Sequence, residues 1–277
     1  MHQVRKTVIG METKTKTKTK IKETKWYDAW IRWEIGSKES YNVDNDDEEE
    51  DEHPVPTDTF SFEYGDSISI QLEGFPAESE AVWSSTGLTL WRSSEYLCYY
   101  LMENKEILMG GKRILEVGSG LGRSGILASL LVQQDCEETS QIYLTDGDTD
   151  TLAQLRANVQ RNCDPAKSNT DNISCRQLLW GEDTAKALLE RQGGNEFDVI
   201  MGSDLVYVPK VIKPLMETLR VLLKKGGIFV MAHCVRRQGN EVRTKMVLEA
   251  ADQIGLCHQL LKRDDDVYLY EFKWKEA

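Results

Sequence analysis

Hydrophobic and polar positions fall into three regimes along this chain. Residues 1–25 lack apolar periodicity, and METKTKTKTKIKETK largely alternates threonine with lysine, which predicts a solvated low-complexity tail. Residues 26–85 read as a β extension. WYDAWIRWEI (26–35) is aromatic-rich and predicts a strand packed on the body, while TFSFEYGDSISIQLEG (59–74) alternates with period two and predicts a hairpin turning at Gly65-Asp66. From Thr86 to residue 277, short apolar runs alternate with amphipathic segments. RILEVGSG, QIYLTDGD, SCRQLLWGE, FDVIMGSD and IFVMAHCV predict buried strands. The helices expected around them begin with TLWRSSEYLCYYLMENK, entered through Ser93 or Ser94 as N-cap, and continue with LGRSGILASLLVQQ. TLAQLRANVQRN follows with Thr149 or Asp150 near its cap, then TAKALLERQGG, VPKVIKPLMETLRVLLKKGG, whose lysines suit the negative helix end, and EVRTKMVLEAADQIG. Repeated β-α units imply a doubly wound α/β fold on a parallel sheet. HQLLKR and VYLYEFKW are joined only by DDD, so they must be antiparallel neighbours. The expectation is a seven-stranded sheet with a reversed last strand, preceded by the β extension.

Composition narrows the class. Of 277 residues, 40% are hydrophobic and 29% charged, enough for one large domain with an appendage. No apolar run reaches the length of a membrane span, and MHQVRKTVIG lacks an apolar secretory region, so no membrane association and an intracellular protein are expected. The cysteines, at 98, 136, 163, 175, 234 and 257, form no C-x-x-C pair and read as reduced thiols. The four histidines do not cluster with them, so no metal site is expected.

Charge is strongly segregated. The net value is −12, with a basic first 25 residues and eight acids in DNDDEEEDE at 44–52. That run reads as a solvated, disordered loop, since like charges repel. An acidic body argues against nucleic acid as partner and suits a basic or neutral one.

Chemistry concentrates at three strand ends. ILEVGSGLGRSG places Gly118, Gly120, Gly122 and Gly125 at a strand-to-helix junction, where bare backbone and a helix N-terminus accept a ligand closely. A dinucleotide fingerprint wants Gly or Ala at position 123, yet Arg123 stands there and would crowd helix–strand packing. Glu116, expected on the pocket side, would repel a pyrophosphate and attract a cationic ligand. S-adenosylmethionine, with its sulfonium and ammonium, suits that pocket; the alternative is a tight turn with Glu116 as an anchor. Asp146 ends YLTDGD, where an acid accepts from ribose hydroxyls or caps the next helix. Trp180 in QLLWGE stacks on an adenine ring or packs in the core. Ser203, Asp204 and Tyr207 end the fourth strand; Asp204 suits holding an amine, with Tyr207 as a wall, or else capping the following helix. His233 and Cys234 line a substrate mouth or pack internally.

Together these residues resemble the seven-strand protein lysine methyltransferases called methyltransferase family 16, from about Thr86 onward. The resemblance rests on TGLTLWRSSEYLCYYL, ILEVGSGLG, YLTDGD, QLLWGE, SDLVY and DDDVYLYEF in that order. It implies a Rossmann-like methyltransferase domain at 86–277. By position, Trp91, Gly118, Ser119, Gly120, Asp146, Trp180 and Ser203 would contact S-adenosylmethionine, with Glu116 in the same pocket. Asp204 and Tyr207 match the family's Asp-x-x-Tyr, which is linked to substrate and cofactor placement. Where related enzymes acting on planar nitrogens carry paired prolines, this chain has Leu205 and Val206, which points to a flexible amine. The family commonly has proline after the helix-entry tryptophan, and here Arg92 follows Trp91. Family members modify chaperones, AAA ATPases, elongation factors and calmodulin.

The expected function is transfer of methyl to a lysine side-chain amine of a protein substrate, by a monomer in the cytoplasm, with the nucleus a second location. Two alternatives stand beside it: another acceptor (protein histidine or arginine, or a small amine), or a silent binding module that kept the fold.

Overall fold

In the computed structural model, residues 53–133, 139–163, 172–235, 240–264 and 266–276 are described. The basic tail, the strand expected at 26–35 and the acidic run at 44–52 lie outside these residues. An antiparallel hairpin comes first, β1 (Asp58–Tyr64) and β2 (Ile68–Gly74), followed by short helix α1 (Glu80–Ser84) and α2 (Ser93–Glu103). Then β3 (Arg113–Val117), α3 (Arg123–Val132), β4 (Gln141–Asp146), α4 (Thr149–Asn162), β5 (Ile173–Gln177) and α5 (Glu182–Arg191) alternate. The chain finishes with β6 (Phe197–Ser203), α6 (Ile212–Leu222), β7 (Leu223–Cys234), α7 (Asn240–Gln253), β8 (Leu256–Asp264) and β9 (Val267–Trp274).

Seven strands form one sheet in the order β5-β4-β3-β6-β7-β9-β8. All neighbours are parallel except those of β9, which runs antiparallel to both β7 and β8. The short β8–β9 link anticipates their pairing, but the reversed strand is not at the edge: it sits between β7 and β8. Helices cover both faces, so β3 and β6 are buried almost throughout, as parallel strands require. The strand order reverses between β3 and β6, which places a crevice at their carboxyl ends, where ligands of such sheets bind.

The hairpin turns at Gly65, whose φ of +59° suits glycine, and it shares a core with α2, α3 and α4. Ile70 and Leu72 are fully buried, each contributing about 1.5–3 kcal/mol by leaving water. Asn158 of α4, itself fully buried, donates to Glu73 O (3.0 Å) and Leu121 O (3.1 Å) and accepts from Glu73 N (2.9 Å). Arg123, expected to crowd the packing below α3, instead points to the hairpin. Its guanidinium lies 3.7 Å over the Phe62 ring and Nε donates to Tyr64 Oη at 2.8 Å.

Two local expectations are corrected. The N-cap position of α2 is Arg92, and Ser93 and Ser94 lie inside the first turn: their hydroxyls donate elsewhere, Ser94 to Trp91 O and Ser93 to a carboxylate described below. The lysines read as ending α6 belong to β7. Lys224 donates to Asp198 Oδ1 at 2.6 Å and Lys225 lies 3.5 Å over the Trp274 ring, so partners in the sheet replace the helix end.

Candidate active site

The carboxyl end of β3 turns sharply through Gly118 (φ +62°) and Gly120 (φ +52°) into α3. A β-carbon on Gly118 would come within 3.0 Å of Leu205 Cδ2 and 3.3 Å of Trp180 Cζ2; one on Gly120 would meet Gly87 O at 3.2 Å. The turn is therefore walled by Trp180, Leu205 and the Thr86–Leu88 segment. Trp91 belongs to the same wall, since its indole Nε1 donates to Thr86 O at 2.9 Å. Ser119 stitches β3 to β4: its N–H donates to Thr145 O (2.9 Å), its hydroxyl accepts from Thr145 N (3.0 Å), and the side chain is buried.

Asp146, ending β4, braces the turn. Oδ2 accepts from Gly120 N and Oδ1 from Asp148 N, both at 3.1 Å. Burial raises its carboxyl above the ordinary range, and those N–H groups pull against the rise. The helix cap is a different acid: Asp148 Oδ1 accepts from Thr151 N at 2.8 Å and from Ser85 Oγ at 2.5 Å. Neither Thr149 nor Asp150 takes that position.

Glu116 departs from its expected place. It is 2% exposed, Oε1 accepts from Ser124 Oγ at 2.6 Å, and Oε2 from Gly125 N at 3.1 Å. The carboxylate anchors the first turn of α3 from behind the glycines rather than lining the crevice. Burial pushes it up to about 7, against the pull of the Ser124 and Ser119 hydroxyls.

At the end of β6, Ser203 stands in register with Ala232 of β7. Asp204 follows in the left-handed region at φ +52°, the one non-glycine with positive φ among the described residues. Its N–H donates to Ala232 O at 3.0 Å. Its carboxylate accepts from three donors: Ser93 Oγ to Oδ1 at 2.8 Å, Cys234 N to Oδ1 at 3.1 Å, and Ser93 N to Oδ2 at 3.2 Å. The acid thus caps α2, which precedes it by more than a hundred residues, and not the helix that follows. Leu205 and Val206 are buried, whereas Tyr207 is 45% exposed. Leu205 also meets the space beside Gly202, 2.8 Å from where a β-carbon would stand, so one side chain links the β3 turn to the end of β6. His233 is 2% exposed, a packed position rather than a mouth.

The structure therefore groups Gly118, Ser119, Gly120, Asp146, Trp91 and Trp180 around one turn, with Ser203 and Asp204 beside it through Leu205. Ser93 reads in sequence only as a helix cap, Cys234 only at a substrate mouth or in packing and Leu205 only in place of a proline, whereas the structure makes the first two donors to Asp204 and the third a wall of the glycine turn; the serine pair directly after Trp91 is the signal that was there to be used.

A profile of lysine methyltransferases matches residues 76–250. The chain belongs to the lysine methyltransferase family. Its relatives include the protein N-lysine methyltransferase METTL21A of Danio rerio, 30% identical over 188 residues that span 67% of this chain and 78% of that one. The calmodulin-lysine N-methyltransferase of Arabidopsis thaliana is 27% identical, over 68% of this chain and 57% of its own length. The protein-lysine N-methyltransferase EFM3 of Saccharomyces cerevisiae is 27% identical, over 70% and 56%. A similar fold is seen in the 16S rRNA N2 G1207 methyltransferase RsmC of T. Thermophilus, solved with AdoMet and guanosine: TM-score 0.54, 16% identity, 80% of this chain and 52% of that one. This lysine methyltransferase accordingly uses S-adenosylmethionine as methyl donor and acts on a protein. The residues present suit that donor. Bare backbone at Gly118 leaves open the space that a side chain would fill, and each Asp146 oxygen, having accepted one N–H, retains an acceptor site for a diol.

Proposed function

We propose that Asp204 and Tyr207 receive the lysine amine of the protein substrate, while Trp91, Gly118, Ser119, Gly120, Asp146, Trp180 and Ser203 hold the methyl donor. When bound, S-adenosylmethionine supplies an already electrophilic methyl group. What remains for the protein is position and exclusion of water. The observation that carries this reading is Asp204 itself: a carboxylate in strained backbone, fixed by three donors, at the open end of β6 and one residue before the leucine that walls the glycine turn. Such strain persists only where surroundings enforce it, and it concentrates at functional sites. Asp204 orients the amine through its remaining acceptor site on Oδ2, and the exposed Tyr207 ring forms the channel wall. Ser119 contributes through the shape of the turn, because its N–H and hydroxyl are engaged by Thr145 and its carbonyl by Gly122. Glu116 supports the turn and is not assigned a donor contact.

The same reading takes the substrate as a protein with a flexible, accessible lysine, sets nucleic acid aside as partner on the strength of the acidic body, and assigns no membrane partner. It takes the enzyme as a monomer of the cytoplasm, with the nucleus as a second location; the scattered cysteines, which form no C-x-x-C pair, support a reducing compartment. Size-exclusion with light scattering checks the monomer. The activity is tested with tritiated donor and a protein extract, followed by mass spectrometry of the labelled band. Asp204→Ala and Tyr207→Ala should lose transfer to lysine while binding S-adenosylmethionine as the unaltered enzyme does; label on histidine or arginine, or full turnover in both variants, overturns the assignment.

A further inference from the structure

We propose that Ser93 is a positioning residue for the transfer: its hydroxyl and N–H hold Asp204 in place and partly neutralise the carboxylate that faces the amine. The inference rests on the reading of Asp204 given above. It starts from an opposition. A lysine amine, ordinarily protonated with a pKa near 10.4, attacks only after losing its proton, yet a bare carboxylate beside it favours the ammonium. An acid that simply attracts lysine would therefore also hold it in the unreactive form.

The surroundings of Asp204 relieve that conflict. Ser93 is fully buried, and two of the three donors on the carboxylate are its own: Oγ at 2.8 Å and N–H at 3.2 Å, joined by Cys234 N at 3.1 Å. A carboxylate has about four acceptor sites, so roughly one is left for the amine, and its negative charge is already shared among N–H and O–H dipoles. Asp204 aims the amine without gripping its proton, which leaves to water. The clamp is itself held. Arg92, next to Ser93, donates to Asp266 Oδ2 at 2.9 Å, and Asp266 O accepts from Val235 N at 2.6 Å, tying the start of α2 to the end of β7 that supplies the third donor.

Titratable groups at the Asp204 end of the surrounding elements are Arg92, Glu95 and Tyr96 at the start of α2, His233 and Cys234 at the end of β7, Arg263, Asp264, Asp266 and Tyr268 about the β8–β9 turn, and Tyr207. Cys234 meets the carboxylate through its backbone N–H at 3.1 Å, not through its thiol.

The test is a pH–rate profile of tritium transfer to the principal labelled band of a dialysed protein extract. Ser93→Ala should retain S-adenosylmethionine affinity by calorimetry but slow transfer roughly tenfold, the size of one hydrogen bond to a charged group. It should also move the acidic limb of the profile to higher pH, because the less neutralised acid favours ammonium. Ser93→Thr, which keeps the hydroxyl, should restore rate and profile. Ser93→Cys, nearly isosteric and a weak donor, should fall between, and carries the comparison if the alanine variant unfolds. A Ser93→Ala or Ser93→Cys profile superimposable on the unaltered one, or no recovery with threonine, overturns the proposal. Absence of lysine labelling by the unaltered enzyme would instead defeat the underlying assignment of the reaction.

Discussion

Leu205 stands over Gly118, its Cδ2 only 3.0 Å from where a β-carbon on that glycine would lie. The contact makes the turn after β3 and the loop after β6 into one surface, and it fixes how little room a side chain at 118 would have. Alanine there would face the left-handed backbone penalty, about 1–2 kcal/mol, and press on both Leu205 and Trp180. Gly118→Ala should therefore weaken S-adenosylmethionine binding at least about tenfold, measured by calorimetry, with a smaller loss of thermal stability. Unchanged affinity would mean the donor does not use this wall.

Glu116 offers a pH signature. Its buried acid titrates near 7 in the fold against an ordinary 4.5, so the folded chain holds a proton that the unfolded chain has released. The stabilisation is complete below about pH 4.5 and is lost as pH rises to about 7, a change on the order of 3 kcal/mol. Glu116→Gln, whose amide serves both Ser124 and Gly125, should flatten this part of the stability curve. Melting temperatures across pH 4.5 to 7.5 decide it: parallel curves for the two proteins would refute the assignment.

Arg123 joins the hairpin to α3 through the Phe62 ring and the Tyr64 hydroxyl. Arg123→Ala should cost about 2–3 kcal/mol in urea unfolding, since it removes a stacked cation and leaves a buried phenol without that donor. Lysine should recover little, because it lacks the planar fork. Restoration by lysine would show that charge alone matters here.

Asn158 is the second tie. Its amide serves both backbone groups of Glu73 and the carbonyl of Leu121, so Asn158→Ala should cost about 2–3 kcal/mol by leaving buried backbone groups unpaired. Hydrogen exchange should quicken first in β2. Uniform exchange across the chain would argue against a local role.

Much of this architecture was legible because periodicity reports burial. The alternation at 59–74 yields the hairpin, and apolar runs flanked by amphipathic helices yield the parallel sheet. Glu116 shows where such reasoning stops. In a strand buried on both faces, alternation no longer separates inside from crevice, so the sign of the ligand's charge suggested a pocket-facing acid when the carboxylate serves the helix behind it. Asp204 was singled out from its place at a strand end. Its clamp was not, because Ser93 is 111 residues away in sequence and meets it only once α2 lies across β6 and β7. The lysines at 224 and 225 misled for a related reason: a basic pair after an apolar helix serves the helix dipole or neighbouring strands equally well, and tertiary pairing with Asp198 and Trp274 decides.

The position of β9 also sets an order in time. A chain being synthesised produces β7 and β8 before the strand that must lie between them, so until β9 emerges the outer edge of β7 has unpaired N–H and C=O groups open to other chains. That edge ends at Cys234, one of the donors to Asp204. Closure of the sheet, and with it full support of the Asp204 carboxylate, waits for the eight residues of β9.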